Sequence, residues 1–547
     1  MIGMNLKEEI KTIFKGQVQD DEATLLHYSR DASLFEVKPR VVVFPKDVED
    51  IKQLVNFVRN HPEGKLSLTC RSGGSDMTGG PLGESIVVDM TGFNQIKEID
   101  KDFAVVEPGV FYRDFEKETL KRNLLLPCFP ASKELCTLGG MVGNNAGGEK
   151  TLRSGKIEDY VEELNVVLAD GNEYVVKPLS KSELEQKILQ NDFEGNIYKS
   201  LWKLIGNNQE LIKNAKPKVS KNSAGYFLWN VYDREKEIFD LTKLFVGSQG
   251  TLGIVTGARF KLIRPSACSS MLVLFLNDES LLAEVTGSVL KEKPETFELY
   301  DDHTLRAAVK FFPDFLKILK GNIVSLALRF LPEFFMLLRG GIPKLVLLAE
   351  FSGNTPQEAL ERAKKAGSNV SVFKVKTRIA KNKKEIEKYE TIRRESFNLL
   401  RRHIRGKRTV PFIDDIIVPS EELEAFLPKL QEILSRYPQL IYTIAGHVGD
   451  GNLHIIPLMD LKDERAKDII LDLAKKVYAL TLQFGGSITA EHNDGIIRTP
   501  FLEQMYGEKI VELFRETKQI FDPNNMFNPG KKVGGSLEYA LSHIAQQ

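Results

Sequence analysis

Several common signatures are missing from this chain of 547 residues. No G-x-G-x-x-G follows a first strand, and no glycine loop ends in Gly-Lys-Ser/Thr, so a Rossmann NAD enzyme and a P-loop NTPase both lose ground. The four cysteines are Cys70, Cys128, Cys136 and Cys268. None forms a C-x-x-C pair, which argues against an iron–sulfur cluster or a cysteine zinc site and favours a reducing, cytoplasmic compartment. Basic and acidic residues balance at 75 each, so nothing global points to nucleic acid. No window reaches the apolar length of a spanning helix. The opening MIGMNLKEEIKTIF carries charges where a signal peptide needs an apolar run.

Glycine is concentrated instead. TLGGMVGNNAGG, 137–148, is preceded by a second glycine loop, RSGGSDMTGG, 71–80. Glycine at this density lets backbone N–H groups approach a ligand and adopt positive φ. One such loop alone reads as a turn. Two in one domain suggest a nest of amides around a diphosphate.

With 42% hydrophobic and 27% charged residues, the length predicts a globular protein of at least two large domains. VVVFP near Val41, a helix starting at Asp47, LSLTC at Leu66 and SIVVDM at Ser85 form a β–α–β pattern with a glycine loop after the second strand. DFAVVEPGV supplies another strand. VEELNVVLADGNEYVV reads as a hairpin turning at Asp170-Gly171. LFVGSQGTLGIVTGARFKLI is strand-like with a glycine break. Composition changes near Pro265, where a first domain ends, and a second begins at MLVLFL near Met271. Helices are expected around Lys383 to Arg402 and Ser420 to Arg436. The segment Leu305 to Lys344 is rich in Phe and Leu, with more basic than acidic residues. It reads as a basic amphipathic surface lying on a membrane, or as helices packed in the second domain or against a partner.

The C-terminal half carries the chemistry. In IYTIAGHVGDGNLHIIPLM two apolar strands flank a Gly-Asp-Gly-Asn turn. A hairpin brings His447 and His454 near one end, with cross-strand Cβ atoms about 5 Å apart. The pair fits a shared metal ion or two hydrogen-bonded structural histidines equally well. SITAEHNDGIIRTP supplies a third ligand. Glu491 and His492 are expected at a strand end, pointing to opposite sides, before a helix capped by Thr499 with Pro500 at its first position. Glu491 would complete a His₂–carboxylate site with open positions, suited to Zn, Mn or Fe(II). His492 would face a substrate as general base.

These motifs resemble the flavin enzymes of the vanillyl-alcohol oxidase type, in the D-lactate and glycolate dehydrogenase branch, from about Tyr28 to Lys531. RSGGSDMTGG is similar to the family's first pyrophosphate loop and TLGGMVGNNAGG to its second. KNSAGY at Lys221 and VGSQGTLGIVT at Val246 match the third and fourth, with Gln249 in place of a typical Glu. DPNNMFNPGK at Asp522 matches the C-terminal signature. The resemblance implies an α+β fold: a two-subdomain FAD-binding domain over 1–265, an α+β substrate (cap) domain with an antiparallel sheet and the metal site over 266–515, and a C-terminal segment, 516–547, returning to the FAD domain.

The family's roles carry over position by position. Arg71, Ser72, Gly73, Gly74 and Ser75, with Thr78, Gly79 and Gly80, are expected to cradle the FAD pyrophosphate. Thr137, Gly139, Gly140, Asn144, Gly147 and Gly148 would line the diphosphate and the approach to the ring. Ile254 and Val255 would meet the adenine end, and Asn528 would lie near the isoalloxazine. Covalent members carry a histidine in the first loop, and this one has none, so non-covalent FAD is expected. His447, His454 and Glu491 match the branch's metal ligands and His492 its base. Arg394, in an R-E dipeptide, matches the arginine that grips the substrate carboxylate. A surface helix charge is the other reading of Arg394. The usual glycine after Glu-His is Asn493.

GSITAEHNDGIIRTPFLEQMYG resembles a subgroup whose longer members continue into an Fe–S domain. This chain reaches Gln547 without those cysteines, so a separate Fe–S protein or a quinone is expected as electron acceptor. Peripheral contact with the inner face of a membrane is the accompanying expectation. The reading is a dehydrogenase of small D-2-hydroxyacids (D-lactate, glycolate or D-2-hydroxyglutarate class). A redox-neutral alkyl-transfer flavoenzyme, a sugar or alcohol oxidase and a non-catalytic flavoprotein subunit are its rivals.

Overall fold

A computed structural model of the chain describes residues 5–310, 341–404 and 406–545. Most of the basic apolar segment Leu305 to Lys344 therefore lies outside the described residues. Among the described residues no helix is long and apolar enough to cross a membrane.

The N-terminal β–α–β pattern folds as a four-stranded sheet. Its order is Gln17–Gln19, Val41–Phe44, Ile86–Asp89, Leu68–Arg71, and the last three strands are mutually parallel. Ile86–Asp89 is buried along its whole length, as an inner parallel strand covered on both faces must be. Asp47 caps the helix Val48–Arg59 by accepting the Asp50 N–H. That helix buries Ile51, Leu54, Val55 and Val58, one stripe at helical spacing. Each such side chain contributes about 1.5–3 kcal/mol on leaving water. The first glycine loop leaves the carboxyl end of Leu68–Arg71, the end at which open parallel sheets take ligands.

A second, antiparallel sheet runs Ile96–Ile99, Phe103–Val106, Ile254–Lys261, Val161–Val167, Glu173–Val176. The expected hairpin is present, with Val167 opposite Glu173 and Gly171 at positive φ. The glycine break before Ile254 is not wholly strand: it opens with a short helix, Thr242–Phe245. The second glycine loop forms a short helix, Leu138–Asn144, with the Thr137 hydroxyl accepting the Gly140 N–H.

The third sheet has seven antiparallel strands, in the order Lys376–Ala380, Cys268–Leu276, Leu345–Gly353, Thr296–Asp301, Ile444–His447, Asn452–Ile455, Ile416–Ile417. Leu272, Leu274 and Leu276 face one core, and Met271, Val273 and Phe275 face another. The period of two explains why MLVLFL is apolar throughout. The expected helices are Lys383–His403 and Leu423–Ser435. The helix Glu508–Phe521 buries Leu513, Phe514 and Phe521 in the core beneath the second sheet. Phe527 then bridges Leu68, and the Asn528 N–H donates to the Leu68 carbonyl at 2.9 Å. The end of the chain thus closes on the first sheet.

Candidate active site

A cavity of about 640 Å³ lies where the three sheets meet. Its walls include Arg71, Ser72, Gly73, Gly74, Ser75 and Gly80 from the first loop. Thr137, Gly139, Gly140, Asn144, Gly147 and Gly148 come from the second, and Val255 from the strand beyond. Glycine is required where backbones meet: a Cβ on Gly73 would fall 2.2 Å from the Leu135 carbonyl oxygen, and one on Gly148 equally close to that of Phe129.

Thr78, Gly79, Ile254 and Asn528 sit behind this wall. The Thr78 hydroxyl donates to Asp76 Oδ1 at 2.8 Å. A Cβ on Gly79 would fall 2.9 Å from the side chains of Phe35 and Ile496, and Ile254 is in the core with Val167 and Ala169. Asn528 Nδ2 donates to the carbonyls of Gly80 (2.9 Å) and Gln249 (2.7 Å), and its Oδ1 accepts from Thr69 at 3.2 Å. It therefore fastens the first loop to the fourth.

Two more side chains complete the staple. Asp76 accepts the Gly80 N–H at 3.1 Å and Asn144 Nδ2 at 2.7 Å, joining the first loop to the second. Gln249, where a Glu is usual, accepts the Gly495 N–H at 2.8 Å and donates to Asn144 Oδ1 at 3.4 Å. Its amide can do both, which an ionised carboxylate cannot.

The other end of the cavity holds the histidines. Ile444–His447 and Asn452–Ile455 pair as a hairpin, but His447 stands opposite Asn452 and His454 opposite Ala445. The two histidines are diagonal neighbours on one face, with ring centroids 5.2 Å apart, within the reach of such pairs.

The segment expected to be a strand end around Glu491 is instead a bend. Asp415 makes it so. One carboxylate oxygen, Oδ2, accepts the N–H groups of Ala490, Glu491 and His492 at 2.7–3.0 Å and the Thr489 hydroxyl at 2.7 Å. Four donors on one buried oxygen curl the backbone, so Glu491 and His492 join the same cluster rather than opposite sides. Ligand atoms of Asp415, His454, Glu491 and His492 all lie within 4.8 Å of one another. The following helix begins at Gly495 rather than after Thr499; the Thr499 hydroxyl donates to the Gly495 carbonyl and accepts the Lys532 N–H. Asn493 has φ +73°, a left-handed conformation that Asn tolerates better than most residues. Its Nδ2 donates to the Gly247 carbonyl at 2.9 Å, tying the bend to the fourth loop.

Each histidine is backed by a buried carboxylate. His447 Nδ1 is 2.7 Å from Glu298 Oε1. Asp414 serves two rings, at 3.2 Å from His454 Nδ1 and 3.0 Å from His492 Nδ1. Such partners fix the tautomer and turn Nε2 forward. His447 Nε2 is 3.6 Å from Glu491 Oε1. Burial alone would lower the His447 pKa, but Glu298 overrides it and raises the ring to about 9. Burial is likewise overridden at His492, where Asp415 and Asp414 raise it to about 9. Burial opposes ionisation of Glu491, and Lys221 and His447 hold it well below the usual carboxylate range. Lys221 is fully buried, 2.6 Å from Glu491 Oε1 and 3.1 Å from Asp450 Oδ2. The residues grouped closely enough to share a cation are therefore His454, Glu491 and His492 with Asp415, and His447 adjoins them through Glu491; two imidazoles and a carboxylate are the kind of donor set that could hold a divalent cation. Asp415 Oδ2 is already filled by four donors, so Asp415 serves the backbone.

Arg394 also lines the cavity, with Arg393 beside it. The two ends adjoin: a Cβ on Gly147 would lie 3.3 Å from Glu491 Oε1.

Asp414, Asp415, Glu298 and the role of Lys221 escape sequence reasoning. One signal was available. The doublet Asp414-Asp415 lies inside the apolar run FIDDIIVP, and two carboxylates cannot be buried there without partners.

Residues 39–177 match the FAD binding domain and residues 264–532 the C-terminal domain of the FAD linked oxidases. The chain belongs to the FAD-linked oxidases, and its fold is that of the vanillyl-alcohol oxidase type. It is 28% identical over 545 residues to glycolate oxidase subunit GlcD of Bacillus subtilis, covering 97% of both chains. It is 27% identical to the D-2-hydroxyglutarate dehydrogenase of Pseudomonas putida over 95% of its own length, and spans about half the length of that relative. Among solved structures, 4-ethylphenol oxidase from Gulosibacter chungangensis superposes with a TM-score of 0.68 at 16% identity, covering 98% of this chain and 97% of that one.

Proposed function

We propose that this protein is an FAD-dependent dehydrogenase that oxidises a small D-2-hydroxyacid, of the D-lactate, glycolate or D-2-hydroxyglutarate class, to the 2-oxoacid. The observation that carries the reading is the convergence of His447, His454, Glu491 and His492 on the cavity beside the second glycine loop. The names of the similar proteins above favour the same substrate class.

The glycine loops 71–80 and 137–148 hold FAD without a covalent bond, as no histidine lies in the first. FAD bound there would supply the oxidant for removal of the α-hydrogen as hydride. His447, His454 and Glu491 would hold a divalent cation (Zn, Mn or Fe), which would supply Lewis acidity to the substrate. Arg394 orients the carboxylate, and orientation supplies much of the rate. His492 would take the hydroxyl proton on Nε2, because Nδ1 faces Asp414; Asp414 and Asp415 keep the ring protonated near neutral pH in the cation-free site, and a bound cation beside it would offset them and leave it neutral. A quinone or an Fe–S protein would be the electron acceptor, since the chain has no Rossmann fingerprint for NAD. The substrate domain spans 266–515 and the FAD domain 1–265 with 516–547.

The test is anaerobic. A panel of D- and L-2-hydroxyacids is added to the yellow protein while its flavin absorbance is followed, with acceptor assays and metal analysis alongside. Bleaching by one or more D-acids, FAD released by acid, one divalent metal per chain and dye or quinone reduction are expected. No bleaching by any acid, or robust NAD reduction, overturns the reading.

A further inference from the structure

Glu149 directly follows the second glycine loop and lines the same cavity as the two arginines. Arg394 Nη2 donates to both of its oxygens, at 2.5 and 2.7 Å, and Arg393 Nη2 to Oε2 at 3.0 Å. The two guanidiniums are not equivalent. Arg393 is also held at 3.0 Å by Glu298, the carboxylate behind His447. Arg394 also lies 3.6 Å from Glu390. Its side chain is 43% exposed against 11% for Arg393. Burial opposes charge on Glu149, but Arg394 and Arg393 hold its carboxyl down at about 2. It is ionised throughout the working range.

A carboxylate that grips Arg394 through Nη2 takes the same donors that a substrate carboxylate needs. We propose that Glu149 is a built-in competitor for the substrate carboxylate: it holds Arg394 in the free enzyme and must yield it when a 2-hydroxyacid binds. The exchange has a low cost because Glu149 keeps its bond to Arg393 while Arg394 turns to the substrate. Glu149 thereby sets a weak affinity for small monocarboxylates and a selectivity for acids that can displace it. The inference rests on the role given to Arg394 in the proposed function.

The test uses FAD-loaded full-length protein, with oxalate as a non-reacting probe followed by perturbation of the flavin spectrum. Wild type, Glu149→Gln and Glu149→Ala are titrated, and KM for the reducing acid is measured in parallel. Removing the competitor is expected to tighten oxalate binding and lower KM by about fivefold, the upper worth of a partly exposed ion pair that no longer has to be broken. The gain falls in KM rather than kcat. Unchanged or weaker oxalate binding in both variants overturns the proposal. Arg394→Met must weaken oxalate binding in the wild-type background, and if it does not, Arg394 is no carboxylate site and the inference falls. Wild type that no 2-hydroxyacid reduces removes the proposed function, while the oxalate comparison still decides the fate of Glu149.

Discussion

The two ends of the cavity are built on opposite plans. At the flavin-loop end the lining is rich in glycine, whose only polar groups are backbone, and Asp76, Gln249 and Asn528 tie loop to loop. At the histidine end the groups that face the cavity are side chains, and the backbone is bent to deliver them by one carboxylate, Asp415. The first plan suits a ligand recognised by many weak amide donors. The second suits a small reacting centre, where a few charged groups must be held in fixed geometry away from water. Damage at the loop end should therefore weaken cofactor retention, and damage at the histidine end should spare the cofactor and stop the chemistry.

His492→Ala tests this separation most severely. Flavin reduction in anaerobic stopped flow is expected to slow about 10²–10⁴-fold, as for loss of a general base, with FAD content near wild type. A rate within a few-fold of wild type, against that range, would place the base elsewhere. In His447→Ala, elemental analysis is expected to find the divalent metal lost and FAD retained. Retained metal would remove this histidine from the ligand set. Asp414→Asn reaches two rings at once, so reduction should slow about 10–100-fold, the usual effect of losing a carboxylate behind a ligating histidine. Full activity in that variant would show that the rings hold their positions unaided.

The smallest effect is expected from the other end. Asn528→Ala leaves the carbonyls of Gly80 and Gln249 without their buried donor, a cost of about 1–3 kcal/mol. It should appear as faster FAD loss on dilution, with the protein that keeps FAD reduced at the wild-type rate. If instead reduction slowed while FAD stayed bound, the division of labour between the ends would be wrong.

The difference in plan also decides what could be read from the chain. RSGGSDMTGG and TLGGMVGNNAGG are contiguous, and glycine dictates local backbone freedom, so the loops were legible without a structure. The hairpin carrying His447 and His454 was legible for the same reason, since alternation and a glycine turn are local. Asn528 was legible as part of a motif, but its position behind the cavity wall was not, because its partners are some 280 and 450 residues away in the chain. The bend at Glu491 has the sequence of a strand end. Its apolar flanks look like a strand, and the carboxylate that bends it belongs to another segment, 76 positions earlier.

Local residue types thus determined the two glycine cradles, the alternating strands and the identity of the histidines and the carboxylate that the cavity gathers. Tertiary structure alone decided which buried acid backs which histidine, that Asp415 curls the Glu491 segment, and that Glu149 holds Arg394. The physical reason is range. Backbone freedom and strand alternation act over a few residues, whereas a buried charge must find its partner wherever the fold brings one within hydrogen-bonding distance.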